Sequence, residues 1–207
     1  MIVTFLPAAG VSRRMEGRDK LLEPVDGRPL LRRAAERALA AGLGPVLVGL
    51  RPGDAARRGA LHGLGARIVE VPGAAAGLSA TLRAGATAAL AEIRGAAAAG
   101  PDGLLVLLPD MPDIETADLL ALARTFRADG GTVVRATTAD GRPGLPVLFP
   151  APLLRNFDAL TGDRGAAALL AGASVTNLAL PGNRARTDLD TPEDWARWRA
   201  APGSSSA

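Results

Sequence analysis

The chain has no cysteine and no tyrosine, a single histidine, His62, and a single lysine, Lys20. Without cysteine there are no disulfides, thiolate metal sites or cysteine nucleophiles. One histidine excludes a histidine-rich metal site and leaves a Ser-His-Asp triad without support. Aromatic residues make up only 3% of the chain, too few for the stacking platforms that hold single-stranded nucleic acid. No apolar run approaches the ~20 residues of a membrane-spanning helix, and no basic N-terminal segment leads into a long apolar stretch. The expectation is a cytoplasmic protein with no nucleic-acid or membrane partner.

What is present is globular. At 207 residues with 48% apolar content, the chain can bury one substantial core, built mainly from Leu, Val and Ala. A single domain over residues 1–200 and a disordered tail over 201–207 are expected. The net charge is only +3; the pI near 10.7 reflects a titration curve rich in arginine and poor in lysine. Of the 24 basic residues, 23 are arginines spread along the sequence, which assigns most of them to solvated faces. The lone lysine falls in a glycine-containing segment after the first apolar run. A compact ammonium there can do what a planar guanidinium cannot.

Short aliphatic runs alternate with amphipathic stretches. Strands are expected over 2–6, 46–50, 68–71, 104–108, 132–136, 147–149 and 175–180. Helices are expected over 29–41, 54–62, 80–94, 116–127, 151–159, 164–171 and 192–199. In the first helix Leu30, Leu31, Ala34, Ala35, Ala38 and Leu39 share one side, and Arg32, Arg33, Glu36 and Arg37 the other. This alternation predicts an α/β fold with a mostly parallel sheet covered on both faces. Gly73–Gly77 and Gly95–Gly100 read as loops.

Ligands of such folds bind beyond the carboxyl ends of the strands. The first such end, Pro7 to Lys20, contains neither a P-loop nor a dinucleotide fingerprint. Its small residues Ala8, Ala9 and Gly10 admit close backbone approach, Ser12 adds a hydroxyl, and Arg14 and Lys20 supply charge for a polyphosphate. The second end places Asp110 directly after a buried strand, suited to Mg²⁺, with Asp113 read as a helix cap. At the third, Thr191, Pro192 and Asp194 read as a helix start. That leaves Asp188 and Asp190, which share one face of an extended stretch, as a candidate metal pair. Gly77-Leu78-Ser79 opens a helix whose amides and hydroxyls can hold a base or phosphate. Asp163 in Gly162-Asp163-Arg164-Gly165 reads as a cap.

In this order the segments resemble the MobA-like nucleotidyltransferases, in particular the branch typified by molybdenum cofactor cytidylyltransferase. The resemblance rests on Ala8-Ala9-Gly10-x-Ser12-x-Arg14-Met15, Lys20-Leu21-Leu22, Gly27-x-Pro29-Leu30-Leu31, Gly77-Leu78-Ser79, Leu108-x-Asp110-Met111-Pro112, Gly144-x-Pro146-Val147, Gly162-Asp163-Arg164-Gly165 and Asp188-x-Asp190-Thr191-Pro192-Glu193-Asp194. It implies a three-layer α/β/α sandwich of the nucleotide-diphospho-sugar transferase type. It implies Mg²⁺-dependent transfer of CMP from CTP to a molybdopterin-type phosphorylated acceptor, with a molybdoenzyme or its chaperone downstream. Arg14, Lys20 and Asp110 would be catalytic, and Asp110 together with Asp188 or Asp190 would hold metal. Ala8, Ala9, Gly10, Ser12, Arg14, Lys20, Leu78 and Ser79 would bind nucleotide. GTP or another NTP, another phosphorylated acceptor, and a non-catalytic cofactor chaperone are the alternatives. Pro7 and Leu145 depart from the family's usual residues; at 145 a polar residue is common.

Overall fold

The computed structural model describes residues 1–95, 100–162 and 169–201. Seven strands form one sheet: β1 (Ile2–Pro7), β4 (Val46–Leu50), β5 (Arg67–Glu70), β6 (Gly103–Val106), β7 (Val133–Thr137), β8 (Pro143–Pro150) and β9 (Val175–Ala179), in the order β5-β4-β1-β6-β8-β7-β9. All neighbouring pairs are parallel except the two made by β8, which runs against both β6 and β7. A tight turn closed by Thr138 N–H to the Arg142 carbonyl at 2.9 Å reverses the chain between β7 and β8. Two short strands, β2 (Pro24–Val25) and β3 (Arg28–Pro29), form a separate ribbon.

Alternation along the strands divides the interior into two cores. Ile2, Leu6, Val48, Leu105 and Leu148 face α1 (Leu30–Ala40) and α4 (Thr116–Ala128). Val3, Phe5, Leu47, Leu104, Val106 and Phe149 face α3 (Leu78–Arg94) and the 3-10 segment Ala151–Ala159. This is the three-layer α/β/α sandwich, with α2 (Ala55–Ala60) at one margin. A smaller third cluster joins Met15, Val25, Leu30 and Leu189 to Trp195 of α5 (Pro192–Ala200), so the last helix packs beside the first loop.

The expected helix over 151–159 is a 3-10 helix. Leu154, Phe157 and Leu160 are all buried, and apolar residues spaced by three fit three residues per turn better than 3.6. The strand expected over 147–149 extends to Pro143–Pro150. The expected cap role of Asp113 is not borne out. Glu115 caps α4 in a reciprocal box with Asp118, and Asp113 instead accepts a hydrogen bond from the Trp198 indole at 2.8 Å. Most of the expected helix over 164–171, the proposed cap Asp163, most of the 95–100 loop and the tail after Ala201 lie outside the described residues.

Phe5 packs where two glycines make room. A Cβ at Gly85 of α3 would lie 2.3 Å from its ring and one at Gly49 of β4 would lie 2.8 Å away. The ring is fully buried and cannot withdraw into solvent. Overpacking of this kind costs ~1–3 kcal/mol, against ~1 kcal/mol gained by replacing glycine with alanine in a helix. Gly85→Ala is therefore expected to lower stability in urea denaturation, whereas Gly59→Ala, where a Cβ meets nothing within 4 Å, is expected not to.

Candidate active site

The loops leaving the carboxyl ends of β1, β4 and β6 converge on a cavity of about 740 Å³. Its wall carries Pro7 to Arg14, Lys20 and Leu21 from the first loop, and Arg51 after β4. The turn Ala74–Gly77 with Leu78 and Thr81, Leu108 to Asp110, and Asp190 complete it. Gly77 holds φ +97°, a conformation that favours glycine, and this swings the Ala74–Ala76 turn directly into α3.

At one end the three distant acidic and basic segments meet. Lys20 Nζ donates to the Asp110 carboxylate and, at 2.6 Å, to Asp190 Oδ1. Arg14 Nη2 donates to the other oxygen of Asp190 at 2.7 Å. Backbone geometry fixes this meeting, because Leu189 N–H donates to the Asp110 carbonyl at 3.0 Å. The Thr191–Asp194 capping box then anchors the stretch to α5 as expected, and Asp194 also accepts from the Asp190 amide at 3.2 Å. Burial alone would draw the Lys20 ammonium below its ordinary pKa. The two carboxylates beside it, Asp110 foremost, more than reverse this, so the group is held above its ordinary value and stays charged. Asp188 is pushed the other way for a carboxyl: burial, then the negative charges of Asp110 and Asp190, raise its pKa.

Ala8, Ala9, Gly10, Ser12, Arg14, Lys20, Leu78, Asp110 and Asp190 thus share one cavity wall. Two candidates do not line it. Ser79 is buried beneath the wall with its Oγ unpartnered among the described residues, while its amide donates to the Gly162 carbonyl at 3.2 Å. Asp188 stands beside the acidic pair rather than on the wall. Leu145 packs against both main cores and is not among the residues that line the cavity.

Two arginines escaped the sequence analysis. Arg57 of α2 is 1% exposed and bonds the first loop, through the Ala8 and Gly10 carbonyls and both oxygens of Asp19. Burial raises the Asp19 carboxyl's pKa, but the Arg57 guanidinium outweighs it and holds the group below its ordinary value. Arg37 of α1 donates to the carbonyls of Pro112 at 2.5 Å and Ile114 at 2.6 Å, fixing the loop that follows Asp110. A hint for Arg57 was available: it lies one helical turn before the buried Leu61.

A family model for the MobA-like NTP transferase domain matches residues 5–178. Among solved structures, Rv0371c from Mycobacterium tuberculosis H37Rv is 26% identical with a TM-score of 0.78, covering 97% of this chain and 98% of that one. The same protein complexed with manganese is 25% identical with a TM-score of 0.72, over 95% and 96% of the two chains. A nucleotidyl transferase from Methanothermobacter thermautotroptrophicus is 26% identical with a TM-score of 0.73, over 96% of each chain. The bifunctional protein GlmU of Rhizobium etli is 34% identical over 133 residues, 61% of this chain. The match spans only 26% of that relative's length.

The raised pKa of Asp188 yields a signed expectation. Its folded value lies above its unfolded one, so its stabilising contribution is complete below the unfolded value and is lost as pH rises through the folded value. Carbon-detected carboxyl titration should find Asp188 above the ordinary aspartate range. In Asp110→Asn, which removes one neighbouring negative charge, its midpoint should move down.

Proposed function

Because the chain belongs to the MobA-like NTP transferase domain family, we infer that it is a nucleotidyltransferase. From that premise we propose that it transfers CMP from CTP to the terminal phosphate of a molybdopterin-type acceptor and releases pyrophosphate. The observation that carries this is the Lys20 ammonium held between Asp110 and Asp190 at one end of a cavity of nucleotide size.

An oxygen of the acceptor phosphate attacks the α-phosphorus of the nucleotide, and the bond to the bridging β-phosphate oxygen breaks. The electron pair leaves with pyrophosphate. The attacking oxygen is already anionic, so no general base is required, in keeping with a wall that carries no histidine. Catalysis then comes from in-line positioning and from stabilising charge on the leaving group. Lys20 and Arg14 take that role, the ammonium as a point charge and the guanidinium as a fork. Ala8, Ala9, Gly10 and Leu78 form the part of the wall that receives the nucleoside. Ala9 leans the resemblance toward CTP, since branches similar to the guanylyltransferase tend to carry Gly-Gly where this chain has Ala9-Gly10. A methyl group in a base pocket contributes ~1–3 kcal/mol of discrimination.

The residues present fit a divalent cation such as Mg²⁺. Among the described residues Asp110 Oδ1 is buried without a hydrogen-bond partner, and Asp190 and Asp188 add hard oxygens beside it. Among the described residues no group of three His, Cys, Asp or Glu side chains forms a cage. Mg²⁺ usually takes one or two carboxylates and completes its shell with water and substrate phosphates. When bound, the ion neutralises triphosphate oxygens.

Pyrophosphate release with molybdenum cofactor and Mg²⁺, comparing CTP, GTP, ATP and UTP, tests the proposal. CTP-selective release is expected, falling on the order of 100-fold or more in Lys20→Ala and Asp110→Ala. Equal release with all four nucleotides would remove the CTP assignment, and nucleotide binding without turnover would favour a cofactor chaperone. The same geometry makes Lys20 a competitor for the cation. In the absence of nucleotide, Lys20→Met should bind Mn²⁺ more tightly than the parent protein by about tenfold, or ~1.4 kcal/mol, by titration calorimetry. Equal affinity would show that the ammonium does not occupy the cation's place.

A further inference from the structure

Arg57 is the least expected side chain in the interior, an arginine 1% exposed on a helix at the margin of the sheet. Its guanidinium is almost fully used. Nη1 donates to the Ala8 carbonyl at 2.5 Å and the Gly10 carbonyl at 2.8 Å, while Nε and Nη2 each reach one oxygen of Asp19 at 2.8 Å. Asp19 also accepts from the Leu21 amide at 3.0 Å and from Ser12 Oγ at 3.2 Å, and Ser12 Oγ accepts from the Lys20 amide at 3.1 Å. One buried cation thus ties the start of the loop to the residue that carries the ammonium.

The consequence follows from the planarity of the peptide bond. In a trans peptide the C=O and the following N–H point in opposite directions. The only cis bond among the described residues joins Leu145 and Pro146, so both peptides held by Arg57 are trans. With the Ala8 and Gly10 carbonyls turned inward to Arg57, the amides of Ala9 and Val11 point outward. Both residues line the cavity, and neither amide has a hydrogen-bond partner among the described residues. The Ala8 amide, by contrast, is committed to the Gly49 carbonyl at 2.9 Å. Backbone amides aimed together into a concavity bind anions.

We propose that Arg57 is a positioning residue for nucleotide binding: by holding the Ala8 and Gly10 carbonyls and Asp19 from behind, it presents the Ala9 and Val11 amides to the nucleotide. The inference rests on the nucleotidyltransferase function and assigns to α2 a part in it that no residue of α2 plays by direct contact. Asp19 neutralises the guanidinium, so Arg57 acts through the direction it imposes on the loop rather than through its charge. Lysine has the charge but no planar fork, and cannot satisfy two carbonyls and a carboxylate together.

Two measurements test it. The first compares Arg57→Lys with the parent enzyme in steady-state pyrophosphate release. Misdirected amides weaken nucleotide binding, so KM for the nucleotide should rise about tenfold or more. A merely structural role would shrink the folded fraction and lower apparent kcat at unchanged KM, and that result would overturn the proposal. The second needs no variant: amide resonances of the ¹⁵N-labelled parent protein are followed as CTP is added. Large shifts at Ala9 and Val11, with little change at Ala8, are expected. Shifts around Lys20 and Asp110 that spare Ala9 and Val11 would overturn the role given to Arg57 while leaving nucleotide binding intact. No shift anywhere in the cavity would overturn both.

Discussion

Two carboxylates, Asp110 from the middle of the sequence and Asp190 from near its end, come to positions where each would repel the other, and the Lys20 ammonium between them makes that meeting tolerable. All three side chains are less than a quarter exposed, so water does little of the compensation. Breaking such an arrangement by removing one partner costs ~3–5 kcal/mol, because the remaining charge is left unpaired. The rest of the site is arranged to bring these three groups together. The sheet delivers β1 and β6 as neighbours, the Leu189–Asp110 backbone bond fixes the third segment, and α5 anchors that segment from behind. In the proposed reaction the same ionic triad would exchange partners, with phosphate oxygens meeting Lys20 and Arg14 and the carboxylates left to a cation.

The division of labour between lysine and arginine follows their geometry. Arg57 and Arg37 sit behind the two principal loops and bond carbonyl oxygens, a task that uses several donors in one plane. Lys20 stands in front, on the cavity wall, as a compact charge shared by two carboxylates. A protein that uses arginine at 23 of its 24 basic positions has its one lysine where a single ammonium sits between two carboxylates.

Much of the fold was legible in the sequence. The periodicity of Leu30 to Ala40 matches the buried face of α1, and Val46–Leu50 is a strand with the expected ends. The start of β8 was not legible: the aliphatic run marks only 147–149, whereas the strand begins at Pro143 after the Thr138–Arg142 turn and, among the described residues, alone runs against its neighbours in the main sheet. The segment 151–159 was harder, because apolar residues three apart suit a 3-10 helix while its other positions tolerate either helix. Asp113 was misread because a local cap pattern competes with a long-range partner, Trp198, that no local window contains.

The sequence by itself determined the alternating layers, the loops at the strand ends and the chemical types on offer: one ammonium, scattered guanidiniums and a few aspartates. These depend on neighbours within a turn or a strand, and local periodicity records them. Only the tertiary structure decided which of them meet. Lys20 is separated from Asp110 and Asp190 by 90 and 170 residues. Arg57 and Arg58 are adjacent on one short helix, yet one is buried against a loop 47 residues earlier and the other pairs with Glu70 at the surface. The energy that separates such cases comes from desolvation and directed hydrogen bonds across the sheet, and those exist only once the strands are in register.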